Sequence, residues 1–406
     1  MQRGGFTVRV DIDTSPDDLA AAANRRQVRE FAAALQALAA DPRFADLHVE
    51  ITDPLAAAAP REQRAALVAA HQAVARFQER RLRGGHGLLD ERTATQILLD
   101  AAAPEVQYYE FKIAEEARVG ADWLWVWLWV WLDPAGGCFM VLVQAKSAKA
   151  ESRRFAVDLG YRSGKHKVLQ MDLLLESSRV FGVPFAYVFY TGTREFRAAL
   201  ECAKPGCEGA CQDREGVDVL WLAGLSADNL RMLTRPREWA HDVMERGLPL
   251  EDMLGSGGPL PPFHDLNLRN SEVLPEGLRE LIAAPQGPAQ TAARMVLSQI
   301  SPIRMGQFSA VDPVAVDLPG GALFPQLPRD RGHFPVPYLP HVLGGLRAEV
   351  PGYVADALAG RTPPDWVTER LAGIVVVPPS GAAAGQQVAP QAPALPNRPW
   401  SPRQAA

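Results

Sequence analysis

The most regular hydrophobic pattern in the chain is a stripe of tryptophans in the stretch "DWLWVWLWVWLDPAGGCFMVLVQAK". Trp occupies every second position from 123 to 131, and Leu or Val fills the positions between. Alternation with a period of two is typical of a β-strand, and aromatic and β-branched residues favour strands. The "DPAGG" segment supplies turn residues, and "CFMVLVQAK" is a second strand-like run. The pattern therefore predicts a β-hairpin.

A membrane span is a weaker interpretation of the same run. Its uncharged apolar part, from Trp123 to Leu132, has ten residues, whereas a spanning helix needs about 20. The Trp side chains could also stack on nucleic-acid bases, but that role requires exposed aromatics in a basic groove. We expect the stripe to pack in the protein core.

Periodic segments before the hairpin predict a small α/β module in residues 1–85. Residues 6–13 alternate like a strand, and residues 47–52 are a second strand-like run. Residues 15–40 open with Ser-Pro and acidic residues, a helix N-terminal signature, and residues 60–83 form a second helical pattern. The module therefore has the order βαβα.

The next part of the chain, residues 86–250, predicts a larger α/β domain around the hairpin. The elements predicted beside the hairpin are a helix at 89–102, a strand at 106–113, a helix at 163–181, and strands at 184–192 and 216–224. With the hairpin included, the chain order is α-β-β-β-α-β-β.

The remainder of the chain is rich in proline. Residues 251–377 contain the linker-like sequence "GSGGPLPP" at 255–262 and short helices such as 275–284 and 351–359. Residues 378–406 have few order-promoting side chains, which predicts a disordered tail.

Composition narrows the class of protein. Apolar residues make up 47% of the chain and charged residues 22%, as in globular proteins that are not embedded in membranes. The N-terminal "MQRGGFTVRVDID" lacks the apolar segment of a signal peptide, and four Cys do not make a disulfide framework, so we expect a cytoplasmic location. The net charge of −5 excludes a global nucleic-acid footprint, so any such footprint is local.

Three polar residues are predicted to meet at the open end of the hairpin. Asp122 precedes the first strand, while Gln144 and Lys146 lie two apart on one face of the second. Pairing across the "DPAGG" turn places position 122 opposite roughly 146–148. Carboxylate and amide oxygens suit Mg²⁺, and a Lys beside the ion can stabilise charge on a phosphoryl group. Either Glu115 or Glu116 could add a second carboxylate.

These residues carry a resemblance to a known superfamily. The sequence "EEARVGADWLWV…VLVQAK" resembles the core of the PD-(D/E)XK nucleases, and most of all the Mrr-like restriction endonucleases that have Gln in the second half of the motif. It is also similar to an uncharacterised bacterial family with E-x-x-x-G-A-D-W and Q-A-K. The resemblance covers about residues 90–225. It implies a restriction-endonuclease-like fold of order α-β-β-β-α-β, a mixed sheet flanked by helices.

The resemblance also implies an activity and the residues that perform it. The activity is Mg²⁺-dependent, or Mn²⁺-dependent, hydrolysis of nucleic-acid phosphodiesters, DNA before RNA, in defence against foreign DNA, and such enzymes can act as homodimers. Asp122, Glu116 and Gln144 would bind the metal, Lys146 would be the catalytic lysine, and Gln170 would be a further polar residue. Gln144 departs from the usual Glu, and its neutral amide is a weaker ligand. A catalytically inactive domain that binds nucleic acid or a protein is therefore the alternative.

A local basic segment follows Lys146. Between Gln144 and Gln170 there are seven Lys or Arg against two acidic residues, a net charge of +5. The basic residues after Lys146 are Lys149, Arg153, Arg154, Arg162, Lys165 and Lys167. They predict contact with a phosphate backbone, although a solvated helix start would have a similar composition.

The sequence "CAKPGCEGAC" clusters Cys202, Cys207 and Cys211. A structural Zn²⁺ site needs four ligands, usually thiolate or imidazole, so His241 or Asp213 would have to complete this one. Reduced thiols or a single disulfide are the alternatives. Cys138 lies within a predicted strand and is expected in the core.

Overall fold

The computed structural model describes residues 6–11, 47–52, 63–111, 125–134, 136–163, 167–254, 263, 274–305, 308–315, 321–330 and 332–379. The predicted helix at 15–40, the linker at 255–262 and nearly all of the predicted tail lie outside these residues. So do four site candidates, which are Glu115, Glu116, Asp122 and Lys165.

The described residues form sixteen β-strands. They are β1 (Phe6–Asp11), β2 (Leu47–Thr52), β3 (Gln107–Glu110), β4 (Val126–Leu132), β5 (Cys138–Ser147), β6 (Lys149–Glu151), β7 (Arg154–Ala156), β8 (Arg162–Ser163), β9 (Val168–Leu169), β10 (Phe185–Tyr190), β11 (Val219–Ala223), β12 (Leu248–Pro249), β13 (Phe308–Ala315), β14 (Gln326–Asp330), β15 (Leu346–Arg347) and β16 (Gly373–Val377).

The same residues form eleven α-helices and three short 3-10 helices. The α-helices are α1 (Gln63–Arg83), α2 (Glu91–Ala102), α3 (Gln170–Phe181), α4 (Arg194–Ala198), α5 (Gly224–Leu233), α6 (Trp239–Arg246), α7 (Glu276–Ala283), α8 (Gly287–Ile300), α9 (Tyr338–Leu343), α10 (Gly352–Leu358) and α11 (Asp365–Thr368). The 3-10 helices are Pro236–Glu238, Leu250–Leu254 and Ser301–Ile303.

An eight-stranded mixed sheet is the centre of the fold, and it confirms the predicted α/β class. Its strand order is β12-β11-β10-β5-β4-β16-β3, with β15 paired to one end of β5. The pairs β5–β10 and β4–β16 are parallel, and the other pairs are antiparallel. Smaller two-stranded sheets are formed by β1–β2, β6–β7, β8–β9 and β13–β14.

The predicted Trp-rich hairpin is confirmed as β4 and β5. Its antiparallel register runs from Val126 opposite Gln144 to Leu132 opposite Cys138. Both faces of this strand pair are buried because helices cover the sheet on both sides. Trp127, Trp129 and Trp131 are each at most 2% exposed, so these three belong to the core, as predicted.

The helices α2 and α3 lie on opposite sides of the sheet, as their hydrogen bonds to β5 and to the adjacent strand β10 show. The helix α2 begins after Asp90, whose carboxylate accepts a 2.9 Å hydrogen bond from the Thr93 N–H. From this side, Thr95 accepts a bond from the hydroxyl of Tyr190, which lies opposite Ser147 in the sheet. Gln170 of α3 instead contacts Lys146, whose side chain points away from that of Ser147.

The helix predicted at 163–181 begins later than the sequence suggested. The structure places its first turn at Gln170, because residues 162–163 and 168–169 pair as the short strands β8 and β9. The helix ends at Gly182, which has a φ of 62° in the left-handed region that glycine adopts without strain. The shorter helix starts beside Lys146 instead of running past it.

The strand β16 was not predicted from the sequence. It lies between β3 and β4, parallel to β4, and the Ala372 N–H donates a 2.7 Å hydrogen bond to the Val126 carbonyl. Its side chains from Gly373 to Val377 are all buried. A segment from the Pro-rich part of the chain therefore completes the central sheet.

None of the helices in the described ranges is both long enough and apolar enough to cross a membrane.

Candidate functional site

Two of the predicted catalytic residues lie together on β5. Gln144 and Lys146 are on the same face, with β4 on one side and β10 on the other. Gln144 is only 2% exposed, and its side-chain oxygen Oε1 has no hydrogen-bond partner among the described residues. The amide oxygen of such a side chain is a ligand that a hard cation such as Mg²⁺ can accept.

The Lys146 ammonium is held by residues from outside the sheet. Its Nζ donates a hydrogen bond to Oε1 of Gln170 and lies 5.2 Å from the centre of the Tyr161 ring. The Tyr161 carbonyl in turn accepts a 3.0 Å bond from the Gln170 N–H, which links the two partners of the lysine. The structure thus brings together Gln144, Lys146 and Gln170, three residues that the resemblance assigned to one site.

Burial and nearby charges set the ionisation of Lys146. Burial lowers the pKa of Lys146 below its usual value, and the positive charge of Lys149 acts in the same direction. The carboxylates of Glu91 and Asp158 act against this shift in pKa. The ammonium of Lys146 is therefore easier to deprotonate than that of a solvated lysine.

Glu91 and Asp158 were missed by the sequence analysis. Glu91 is the first residue of α2, and its Oε1 accepts a 3.0 Å hydrogen bond from the Ser147 N–H. Asp158 accepts a 2.9 Å bond from the Gly160 N–H in the loop after β7. Neither residue belongs to a motif, and only the folded chain brings them near Lys146.

The basic segment lies on the surface beside this site. The strand β6 begins two residues after β5 ends, and it pairs with β7 through a two-residue turn at Ser152 and Arg153. Both turn residues have left-handed backbones, with φ of 48° and 67°. The exposed basic side chains are those of Lys149, Arg153, Arg154, Arg162 and Lys167. Residues 149–156 form this hairpin, so a solvated helix start does not explain the first half of the charge.

The predicted cysteine cluster is assembled with a histidine. Side-chain ligand atoms of Cys202, Cys207, Cys211 and His241 all lie within 4.8 Å of one another. Asp213, the other candidate for the fourth ligand, instead accepts a 2.8 Å hydrogen bond from Arg194. Cys138 is buried in β5, as predicted, and burial raises the pKa of its thiol to about 12.

A buried ionic network was also missed by the sequence analysis. His71 of α1 lies 3.1 Å from Glu251 and 3.6 Å from Asp218, and Arg197 contacts Asp218 at 2.6 Å. Arg197 is fully buried, and it also donates to the backbone carbonyls of Gln212 and Arg214. These residues are far apart in the chain and belong to no motif, so no sequence signal identifies them as a group.

Comparison with known proteins assigns the chain to a family whose function is unknown. No curated protein and no solved structure matches the chain. A family model matches residues 63–377, which is most of the chain and includes the main sheet with β16. Its description is "Family of unknown function (DUF6615)", and the chain belongs to that family.

Proposed function

We propose that this protein is a metal-dependent nuclease that hydrolyses phosphodiester bonds, in DNA more readily than in RNA. The observation that carries the proposal is the position of the buried Gln144, two residues before Lys146 on the same face of β5. Gln144 supplies an oxygen that has no hydrogen-bond partner within the described part of the chain, and Lys146 supplies a positive charge for a phosphate. An exposed basic hairpin continues from the same strand.

The order of elements gives independent support. The elements α2, β3, β4, β5, α3 and β10 follow one another as α-β-β-β-α-β when the short strands β6 to β9 are set aside. This is the order implied by the resemblance to PD-(D/E)XK nucleases. The insertion of β16 between β3 and β4 is an addition to that order.

The described residues fit a magnesium site in part. Gln144 Oε1 would be one ligand, and Asp122 and Glu116, outside the described residues, would supply carboxylates. When bound, Mg²⁺ would polarise a phosphoryl oxygen and lower the pKa of a water molecule. Lys146 would move its hydrogen bond from Gln170 to a phosphoryl oxygen and stabilise the charge that develops there. Arg153 and Arg154 would bind neighbouring phosphates.

A catalytically inactive nucleic-acid-binding domain is the second candidate. Two observations favour it: the neutral amide at position 144 is a weaker ligand than a carboxylate, and Lys146 already has Gln170 as a partner. This candidate keeps the basic hairpin as a binding surface and predicts no metal-dependent cutting. A role in defence against foreign DNA is part of our proposal on the resemblance alone.

The test is a cleavage assay with plasmid, single-stranded DNA and RNA, in Mg²⁺, Mn²⁺ or EDTA. We expect metal-dependent cutting of DNA that is lost in Lys146→Met and Asp122→Asn and kept in Arg83→Met. Arg83 is an exposed residue near the end of α1. Cutting that survives both site variants would exclude the proposed site. DNA binding without cutting by the wild type, with no metal bound in calorimetry, would establish the second candidate.

A further inference from the structure

The geometry of the cysteine cluster points to a bound metal: we infer that Cys202, Cys207, Cys211 and His241 hold one structural zinc ion. Cys202 Sγ lies 3.7 Å from Cys211 Sγ and 3.8 Å from His241 Nδ1. Tetrahedral Zn²⁺ with Zn–S bonds of about 2.3 Å holds its sulfurs about 3.8 Å apart. Three thiols and an imidazole are also a common ligand set for zinc.

A disulfide does not explain this arrangement. The Cys202–Cys211 separation is well beyond the S–S bond length of about 2.05 Å, and all four cysteines of the chain are free. Bonding any two of the clustered sulfurs would leave the third thiol and the imidazole converging for no purpose. Cys202, Cys207 and His241 are partly exposed and Cys211 is buried, so a metal ion can reach the four side chains from solvent.

The backbone of the loop turns around the sulfurs and contributes N–H groups to two of them. Glu208 and Gly209 have left-handed backbones that turn the chain between Cys207 and Cys211, and Gly206, which precedes Cys207, is left-handed as well. The backbone N–H groups of Gly209 and Cys211 donate to the Cys207 sulfur, and the Lys204 N–H donates to Cys202. Such outer hydrogen bonds orient the ligands of a metal and stabilise their negative charge.

The ion would join two separate parts of the fold directly and a third through the backbone. The cysteines belong to the loop between α4 and β11, whereas His241 belongs to α6. Glu201, next to Cys202, pairs with the basic hairpin: its N–H donates to the Arg153 carbonyl at 2.9 Å, and its carbonyl accepts from the Phe155 N–H at 3.2 Å. Zinc would thus fix the hairpin β6–β7 to α6.

This connection gives the ion a role next to Lys146. Trp239 of α6 packs against Gly160, where a Cβ atom would come within 3.0 Å of the indole ring. The loop that follows Gly160 carries Tyr161, the aromatic partner of Lys146. We infer that zinc positions Arg153, Arg154 and Tyr161 for a nucleic-acid substrate, and this second step rests on the proposed function.

The first experiment measures the zinc content of the purified full chain by inductively coupled plasma mass spectrometry. We expect one zinc per chain in the wild type and loss of zinc in His241→Asn and Cys207→Ser. Matched controls are His86→Asn, on an exposed histidine, and Cys138→Ala, on the cysteine outside the cluster; both should keep zinc. A wild-type protein without zinc, or controls that lose it as the ligand variants do, would overturn the assignment.

A second measurement does not depend on whether the variants fold. Wild-type protein in which Co²⁺ replaces zinc should show thiolate-to-metal charge transfer and the visible bands of a tetrahedral ion. The absence of both, or a Cys202–Cys211 disulfide found by non-reducing peptide mapping, would exclude the site. The zinc assignment is separable from the nuclease proposal, because Lys146→Met should lose cutting and retain one zinc per chain.

The positioning role has its own readout. Removing zinc with a chelator should accelerate tryptic cleavage after Arg153 and Arg154, while cleavage after Arg83 should change little. Equal protection of the hairpin with and without zinc would show that the ion does not hold it. That result would leave the metal site in place and refute its role beside Lys146.

Discussion

The imidazole of His71 lies between two carboxylates, with Nδ1 3.1 Å from Glu251 and Nε2 3.6 Å from Asp218. Burial by itself lowers the pKa of His71, but the hydrogen bonds and charges of the two acids outweigh burial and raise it to about 9. The protonated ring connects α1 to Asp218, which immediately precedes β11, and to the 3-10 helix at Leu250–Leu254. His71 is therefore a charged member of the core at neutral pH.

This network predicts a stability that falls as the pH rises. The unfolded histidine has a pKa near its ordinary value of 6.5 and the folded one of about 9. The stabilisation is therefore fully present below pH 6.5 and is lost as the pH rises through 9. At most, the protonated His71 adds about 3 kcal/mol to the free energy of unfolding. Urea unfolding at pH 6, 7.5 and 9 should show this loss, and His71→Gln should flatten it; an equal slope in the variant would contradict the assignment.

Two arginines of α4 provide a matched test of burial. Arg197 is fully buried with Asp218 at 2.6 Å, whereas Arg194 is 44% exposed and pairs with Asp213 and Glu215. Arg197→Met leaves Asp218 without one of its partners and should cost about 3 kcal/mol or more of unfolding free energy. Arg194→Met should cost much less, because solvent screens an exposed ion pair. Similar losses for the two variants in urea unfolding would refute this difference.

Replacing the amide in the candidate site tests its link to metal. Gln144→Glu adds a carboxylate that is buried at the site of a 2% exposed side chain, so the melting temperature should fall without metal. Mg²⁺ should recover the loss, because an ion that binds the folded state stabilises it. Cleavage at limiting Mg²⁺ should increase in the same variant. Gln144→Met keeps the length of the side chain without its oxygen, and it should show neither effect.

The basic hairpin should account for a measurable part of the salt dependence of DNA binding. Removal of a phosphate contact lowers the slope of log K against log[salt] by about 1. Arg153→Ala with Arg154→Ala should therefore lower it by about 2. Arg361→Ala, at an exposed residue paired with Asp356, should leave the slope unchanged. Unchanged binding in the double variant, measured by fluorescence anisotropy, would place the DNA surface elsewhere.

The tryptophans differ in how much they stabilise the fold. Trp129 is 2% exposed in the middle of β4, and its ring meets that of Trp221 at 6.1 Å. Trp129→Ala should cost about 3–5 kcal/mol through lost burial and a cavity. Trp366 is 40% exposed and packs beside Phe181, so Trp366→Ala should lower the free energy of unfolding markedly less. Chemical denaturation compares the two, and equal costs would contradict the core position of Trp129.

Local patterns predicted the hairpin because alternation and turn residues act over a few positions. They also predicted that Gln144 and Lys146 share a face, since that depends only on strand geometry. The same signals could not find β16: its five apolar residues carry no information about the gap between β3 and β4 that they fill. That pairing depends on contacts between distant parts of the chain.

In the candidate sites, too, local sequence predicted some residues, and contacts between distant segments determine the others. The cysteine spacing indicated a metal site, but the choice of His241 over Asp213 depends on how α6 packs against the loop. Glu91 reaches Lys146 from α2, and Asp158 and Tyr161 reach it from the loop between β7 and β8; no motif in the sequence relates them to Lys146. The roles of Asp122 and Glu116 stay predictions, because both lie outside the described residues.

The position of β16 has a consequence for how the protein is made. A ribosome synthesises β4 long before β16, so the Trp-rich strand emerges with one edge unpaired. Unpaired apolar strand edges are where chains associate wrongly, and contacts between distant segments form slowly. A chain that ends before residue 373 would leave the edge of β4 that β16 covers unpaired, and we expect such a chain to associate with its neighbours through that edge.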